Sequence, residues 1–203
     1  NLLLIHKVTK QINIGPILTY EEKLFPKSCK LPIDFKINCD EGFLSLYKKF
    51  IEGIKIKKKF YFKNQPQYLS SYYPRLDSRS DSWLDWSMTA NEIERFIDAF
   101  DDPFKGCLTK IGSKIVRLKK AQLHSGETSS HSYMKGLIIR NDNRWIVVSV
   151  DDKNYLLIKE VIDNKGKIIT GKLKPGDRFF TPHKYLEKQF SSRTKFKASG
   201  KLK

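Results

Sequence analysis

The apolar positions along the chain fall into two textures. Leu2-Leu3-Leu4-Ile5 is a continuous apolar run closed by His6-Lys7. It predicts a short strand over residues 1–6, covered on both faces. Gly15-Pro16 turns the chain into a second strand, Ile17 to Lys23. Phe25 to Asn38, with Pro26 and Pro32, reads as loop. Asp40 can cap a helix whose stripe is Phe43, Tyr47, Phe50, Ile51 and Ile54, with Gly53 near its end. Lys55 to Lys63 then mixes lysines with Ile56, Phe60, Tyr61 and Phe62. Two readings stay open there: aromatics that stack bases, or a half-buried strand with snorkelling lysines. Leu69 to Ser82 holds Pro74 and five serines without a sustained period, which predicts a linker.

Beyond residue 82 the pattern sharpens. Thr89-Ala90-Asn91-Glu92 is a capping box, and Ile93, Phe96, Ile97 and Phe100 give a helical stripe that Asp101-Asp102-Pro103 stops. From Cys107 onward short strands alternate with turns: Lys114–Ala121, Gly136–Arg140, Arg144–Val150, Tyr155–Val161 and Lys167–Leu173. Five or six strands at this spacing predict a small closed barrel of the oligonucleotide-binding (OB) type. Its core is expected to include Ile115, Leu118, Ile138, Trp145, Val147, Leu156, Ile158 and Ile168, with Trp83 and Trp86 near the base of the 89–100 helix.

Charge changes the picture more than composition does. The formal net charge is +17 over 203 residues. Residues 1–100 hold 16 basic and 12 acidic residues, net +4, and residues 101–203 hold 23 and 10, net +13. The segment from Lys188 to Lys203 has six basic residues and no acid. Such an excess favours a polyanionic partner, because each phosphate neutralised releases a counterion. Lysines outnumber arginines 31 to 8, so a lysine-rich solvated surface explains part of it. No apolar run reaches the roughly 18 residues of a membrane span, and no small-residue cleavage site follows the opening run, so neither a membrane helix nor a signal peptide is expected. The chain opens on Asn1 inside an apolar run, as if an upstream part preceded it. Cys29, Cys39 and Cys107 form no CxxC pair and suggest a reducing, cytoplasmic setting. His6, His124, His131 and His183 are scattered, no metal site is expected, and no P-loop, dinucleotide fingerprint or HExxH is present. The residues alone thus describe a basic two-part α+β protein.

Two stretches resemble a known family. Ile5 to Leu18, with His6, Asn13, Gly15 and Ile17, resembles the "T-x-H … I-D-x-G-x-I" segment of 10-formyltetrahydrofolate-dependent formyltransferases. Leu84-Asp85-Trp86-Ser87, the helix to Phe100 and Asp102-Pro103-Phe104-Lys105-Gly106 resemble the opening of the C-terminal domain of methionyl-tRNA formyltransferases. Tyr72-Tyr73-Pro74-Arg75 and Lys174 to Phe179 fit the same family's linker and barrel end.

The resemblance implies a partial α/β, formyltransferase-like unit over 1–62, the C-terminal part of a catalytic domain. A linker over 63–82 and a small antiparallel OB-like barrel domain over 83–203 would follow. It implies transfer of a formyl group from 10-formyltetrahydrofolate to an amino group, most naturally of methionyl-tRNA. The alternatives are a nucleotide-linked amino sugar as acceptor, or an inactive remnant whose basic barrel binds nucleic acid. In that family an Asn and a His stabilise the oxyanion and an Asp sets the charge of the His. The Asp position falls on Asn13, whose amide cannot hold a negative charge, and the Asn-x-His segment is not in this chain. The chain by itself is therefore expected to transfer no formyl group and, with an uncovered sheet edge, to self-associate. Lys10, Gln11, Ile12 and Gly15 fall on the folate-side loop. The tRNA-facing set would be Lys110, Lys114, Arg117, Lys119, Lys120, Lys172, Lys174 and Lys188, expected on one face.

Overall fold

The computed structural model describes residues 2–10, 15–66, 68, 71, 73, 76–126 and 130–191. The chain divides into two compact units, Asn1–Tyr73 and Pro74–Lys203.

In the first unit, β1 (Leu2–His6) and β2 (Ile17–Glu22) pair antiparallel, from Leu2 opposite Glu22 to His6 opposite Ile17. Lys63 adds a backbone bridge to Ile17, the two residues exchanging N–H···O bonds of 2.8 and 2.9 Å. Helix α1 (Pro32–Lys55) lies against the pair. It starts inside the segment expected to be loop, because Pro32 occupies its first turn and Asp34 caps it. The Asp34 carboxylate accepts from the backbone of Leu31 at 2.9 Å and of Lys30 at 3.1 Å. Asp40, the expected cap, sits mid-helix and pairs with Lys36. The buried face is also rotated from the expected stripe. Gly42, Leu46 and Gly53 are buried, whereas Phe43, Tyr47 and Ile54 are exposed. Close approach explains the choice: a side chain at Gly42 would meet Leu3 Cδ1 at 2.4 Å, and one at Gly53 would meet the Phe60 ring at 2.8 Å. Strand β1 is not covered on both faces, since Leu3 is buried but Leu2 is exposed.

The second unit opens on a turn from Asp77 to Ser82, held by the Asp81 carboxylate accepting from Asp77 N and by Ser82 Oγ donating to Ser78 O. Helix α2 (Ala90–Ala99) carries the expected capping box. Thr89 N donates to Glu92 Oε2 at 2.9 Å, and Glu92 N to Thr89 Oγ1 at 3.4 Å. A six-stranded antiparallel sheet follows, in the order β5 (Ile138–Asn141), β6 (Ile146–Ser149), β7 (Asn154–Ile162), β4 (Lys114–Ser125), β3 (Cys107–Ile111), β8 (Phe179–Phe180). The sheet curls until its two edges meet. Leu137 bridges Arg178, Ile138 N donates to Asp177 O at 2.8 Å, and Phe179 N donates to Gly136 O at 2.8 Å. Gly136 permits this join: it holds φ +77, and a side chain there would stand 2.2 Å from the Phe179 carbonyl oxygen.

Alternation along the strands sorts the core. Val116, Leu118, Ile138, Ile146, Val148, Leu156, Ile158 and Phe179 point inward, and α2 covers them with Ile93, Ile97 and Phe100. Leu118, Ile138, Leu156 and Ile158 are buried as the sequence predicts. Trp145 and Val147 are on the outward face instead, because the register of β6 against β7 pairs Ile146 with Ile158 and Val148 with Leu156, and Ile115 of β4 packs outside the barrel against Trp83, Leu108 and Leu186. Ile168 is 53% exposed, and the strand expected over Lys167–Leu173 is replaced by one bridge, Ile162–Ile168, and a 3-10 turn at Thr170–Lys172. Thr170 Oγ1 locks that turn, donating to Lys159 O at 3.0 Å and accepting from Val161 N at 2.9 Å.

Trp86 does sit under the helix, stacked on Phe179 with its Nε1 donating to Thr109 Oγ1 at 2.9 Å. Trp83 does not. It packs outside the barrel with Leu108, Leu186 and the Tyr185 ring, 4.1 Å away, on helix α3 (His183–Ser191). That helix, like β8, was not evident from the sequence pattern.

Candidate functional site

The folate-side positions are described only in part. Gln11, Ile12 and Asn13 lie outside the described residues, and Lys10 is exposed. Gly15 is buried, its carbonyl accepting from Gln65 Nε2 at 2.7 Å. A Cβ at Gly15 would stand 1.7 Å from the Lys7 carbonyl oxygen. Only glycine lets the two backbones approach this closely.

The basic positions of the second unit separate into distinct settings. Arg117 projects from β4, and its Nη1 donates to Gly106 O at 3.0 Å. Gly106 holds φ +97, and any side chain there would meet the Leu118 carbonyl oxygen at 2.7 Å. The turn before β3 therefore offers its carbonyl to the guanidinium. Burial lowers the Arg117 pKa from its ordinary value, but a guanidinium stays charged in any protein setting. Arg117 lines an open hollow of about 560 Å³ with Lys105, Lys119, Ile162 and the turn Asp163 to Gly166. Lys105 and Lys165 are exposed at this hollow. Asp163 is committed to its own turn: its Oδ1 accepts from Lys165 N and Lys167 N at 2.9 Å each, and these backbone donors, Lys167 first, hold its pKa below the usual carboxylate range.

Lys119 is a correction to the sequence reading. It is 7% exposed, its Nζ 2.5 Å from Asp102 Oδ1 and 3.3 Å from Asp101 Oδ1, and it donates to Phe104 O at 3.1 Å. Asp101 is fully buried and also accepts from Lys120 N at 2.6 Å. The Lys119 charge is thereby spent on joining the end of α2 to β4. Lys120 has φ 55 and pairs with Glu160 at 2.5 Å. Lys110 lies over the Phe180 ring at 5.7 Å, Lys114 is exposed beside the β3–β4 turn, and Lys188 is exposed on α3. Lys172 and Lys174 are exposed on a segment tied to β5, where Asn141 Nδ2 donates to Thr170 O at 2.9 Å and to Leu173 O at 2.5 Å. Of the nominated set, Arg117 and Lys119 line a common hollow. The sequence reading missed Lys105 and Lys165, which complete it; their position before a glycine turn and in an Asn-Lys-Gly turn was the available signal.

Among the described residues no group of three His, Cys, Asp or Glu could hold a metal ion, and no helix is long and apolar enough to cross a membrane. Cys107 is fully buried, and burial pushes its thiol up to about 12, which makes it a core residue and not a nucleophile.

A capped helix packed on a curled antiparallel sheet, with a hollow lined by Lys105, Arg117, Lys119 and Lys165, makes the second unit an α+β domain. Residues 78–173 match the formyl transferase C-terminal domain, and in this part the chain is similar to the formyltransferase family. A methionyl-tRNA formyltransferase from Pseudoalteromonas translucida (strain TAC 125) is 32% identical over 76 residues, which cover 37% of this chain and 23% of that protein. Similar solved structures include HypX from Aquifex aeolicus, with a TM-score of 0.59 and 16% identity over 78% of this chain and 26% of that one. HypX in complex with tetrahydrofolic acid gives 0.51 and 13% over 93% and 30%. The Helicobacter canadensis N-formyltransferase, in complex with folinic acid and dTDP-3-aminofucose, gives 0.55 and 19% over 78% and 55%. The chain thus spans well under two thirds of each relative, and these solved structures are likenesses of fold.

Proposed function

We propose that this chain serves transfer of a formyl group from 10-formyltetrahydrofolate to an amino group, with methionyl-tRNA as the acceptor. In this reading residues 1–62 belong to the folate-binding catalytic domain, with Lys10 to Gly15 on its folate side. Residues 63–82 are the linker, and residues 83–203 are an OB-like barrel that holds the acceptor. The observation that carries the reading is the 32% identity to a methionyl-tRNA formyltransferase. The hollow supports it, because Arg117, Lys105 and Lys165 converge around one Asp163 that its own turn already occupies. A phosphate entering there would meet a planar guanidinium held by Gly106 and the exposed ammonium groups of Lys105 and Lys165. Such contacts position a nucleic acid without reading its bases.

A second reading, a nucleotide-linked amino sugar as acceptor, is favoured by the Helicobacter canadensis neighbour and its bound dTDP-3-aminofucose. The two are separated by titrating the purified chain at about 50 mM salt with unformylated methionyl-tRNA and, separately, with a dTDP-linked amino sugar. Binding of the tRNA with no binding of the sugar nucleotide is expected. The reverse result overturns the tRNA reading.

A further inference from the structure

We infer that the outward face of strands β4 to β7 carries a second nucleic-acid subsite, a stacking platform for unpaired bases of RNA. This subsite rests on the tRNA reading and extends it to a surface that neither the family match nor the basic cluster assigns. The hollow lies on the barrel wall and measures about 580 Å³, within the roughly 300–1,000 Å³ of small-ligand sites. The strand register builds it: Gln122 of β4 faces Leu157 of β7, Leu157 faces Val147 of β6, and Val147 faces Arg140 of β5. Beside this row stand Trp145, Tyr155 and His124. The Arg140 guanidinium lies 4.7 Å from the centre of the Trp145 ring. A stacked guanidinium and indole offer a flat, cationic surface that suits the π-face of a base and its negative phosphate together.

The hairpin that carries this pair is held in place before any ligand arrives. Asp142 Oδ1 accepts from Arg144 N and Trp145 N at 3.1 and 3.0 Å, so this nearby carboxylate is taken up by the turn. Asn141 fastens the same hairpin to the segment that presents Lys172 and Lys174, which adds cationic charge to its surroundings. An unpaired strand satisfies this arrangement better than a duplex, because duplex bases hide their faces in the stack.

The test uses the whole chain. Affinity for a labelled oligoadenylate single strand is compared with that for an RNA duplex of equal length and for dTDP alone, in the native protein and in Trp145→Ala, Trp145→Tyr and Arg140→Ala. The single strand should bind more tightly than the duplex or the free nucleotide. Trp145→Ala should weaken it at least about fivefold, Trp145→Tyr should restore it, and Arg140→Ala should cost about two- to fivefold. If Trp145→Ala fails to fold, Arg140→Ala and Trp145→Tyr decide. Unchanged single-strand affinity in the folded variants overturns the inference, as does equal binding of the duplex. If tRNA still binds in those cases, the tRNA reading stands without this subsite.

Discussion

Lys119 shares its hollow with Arg117, as strand alternation sets it, but its ammonium is buried against Asp101 and Asp102. Its carboxylate partners come from the end of α2, so nothing within its own strand announces the pairing. Removing one member of a buried pair leaves the other charge uncompensated, so Lys119→Met should cost about 3 kcal/mol, read as a lowered urea midpoint. Burial works against the Lys119 ammonium, yet the hydrogen bond to Asp102 and the charge of Asp101 outweigh it and raise its pKa. A cation with a raised folded pKa contributes its full stability below the ordinary lysine value and loses it only as pH climbs past the raised one. The gap in stability between native protein and Lys119→Met should therefore stay constant from about pH 7 to about pH 9. A gap that closes in that window contradicts the assignment.

At the scale of elements, α2 was legible because each of its signals is local: the Thr89–Glu92 box, the Ile93–Ile97 stripe and the Asp102-Pro103 stop. Thr89→Ala should cost about 1 kcal/mol and Ile93→Ala about 2–5 kcal/mol, both measurable by chemical denaturation, and equal costs would mean that Ile93 is not in the core. Strand β6 was located but its inward face was not, because Trp145, Ile146, Val147 and Val148 are all apolar and only the pairing with β7 decides which two are covered. The same indifference displaced the stripe on α1, where Gly42, Leu46 and Gly53 are buried, Phe50 and Ile51 only half-buried, and Phe43, Tyr47 and Ile54 stay outside. Residues 167–173, with Ile168, Ile169 and Leu173, read as a strand between turns, but Thr170 bonds into β7 and bends them away. The candidate site was half visible for a related reason. Composition exposed the cationic bias, while the grouping of Lys105 and Lys165 around Arg117 depends on turns brought together by the sheet.

Across the whole molecule, the proposed function requires the second unit to act as a phosphate-holding surface for a nucleic acid. A surface that neutralises phosphates loses affinity steeply as salt rises, and each lost contact flattens that slope by about 0.9. The most direct test is therefore the tRNA affinity of the chain at about 50 and about 200 mM salt, before and after the double change Lys105→Ala and Lys165→Ala. The native protein should lose at least about tenfold across this range, as three or more neutralised phosphates require. In the variant the logarithmic slope should be smaller by one to two. An affinity indifferent to salt, or a slope unmoved by the double change, would contradict the assignment of this hollow.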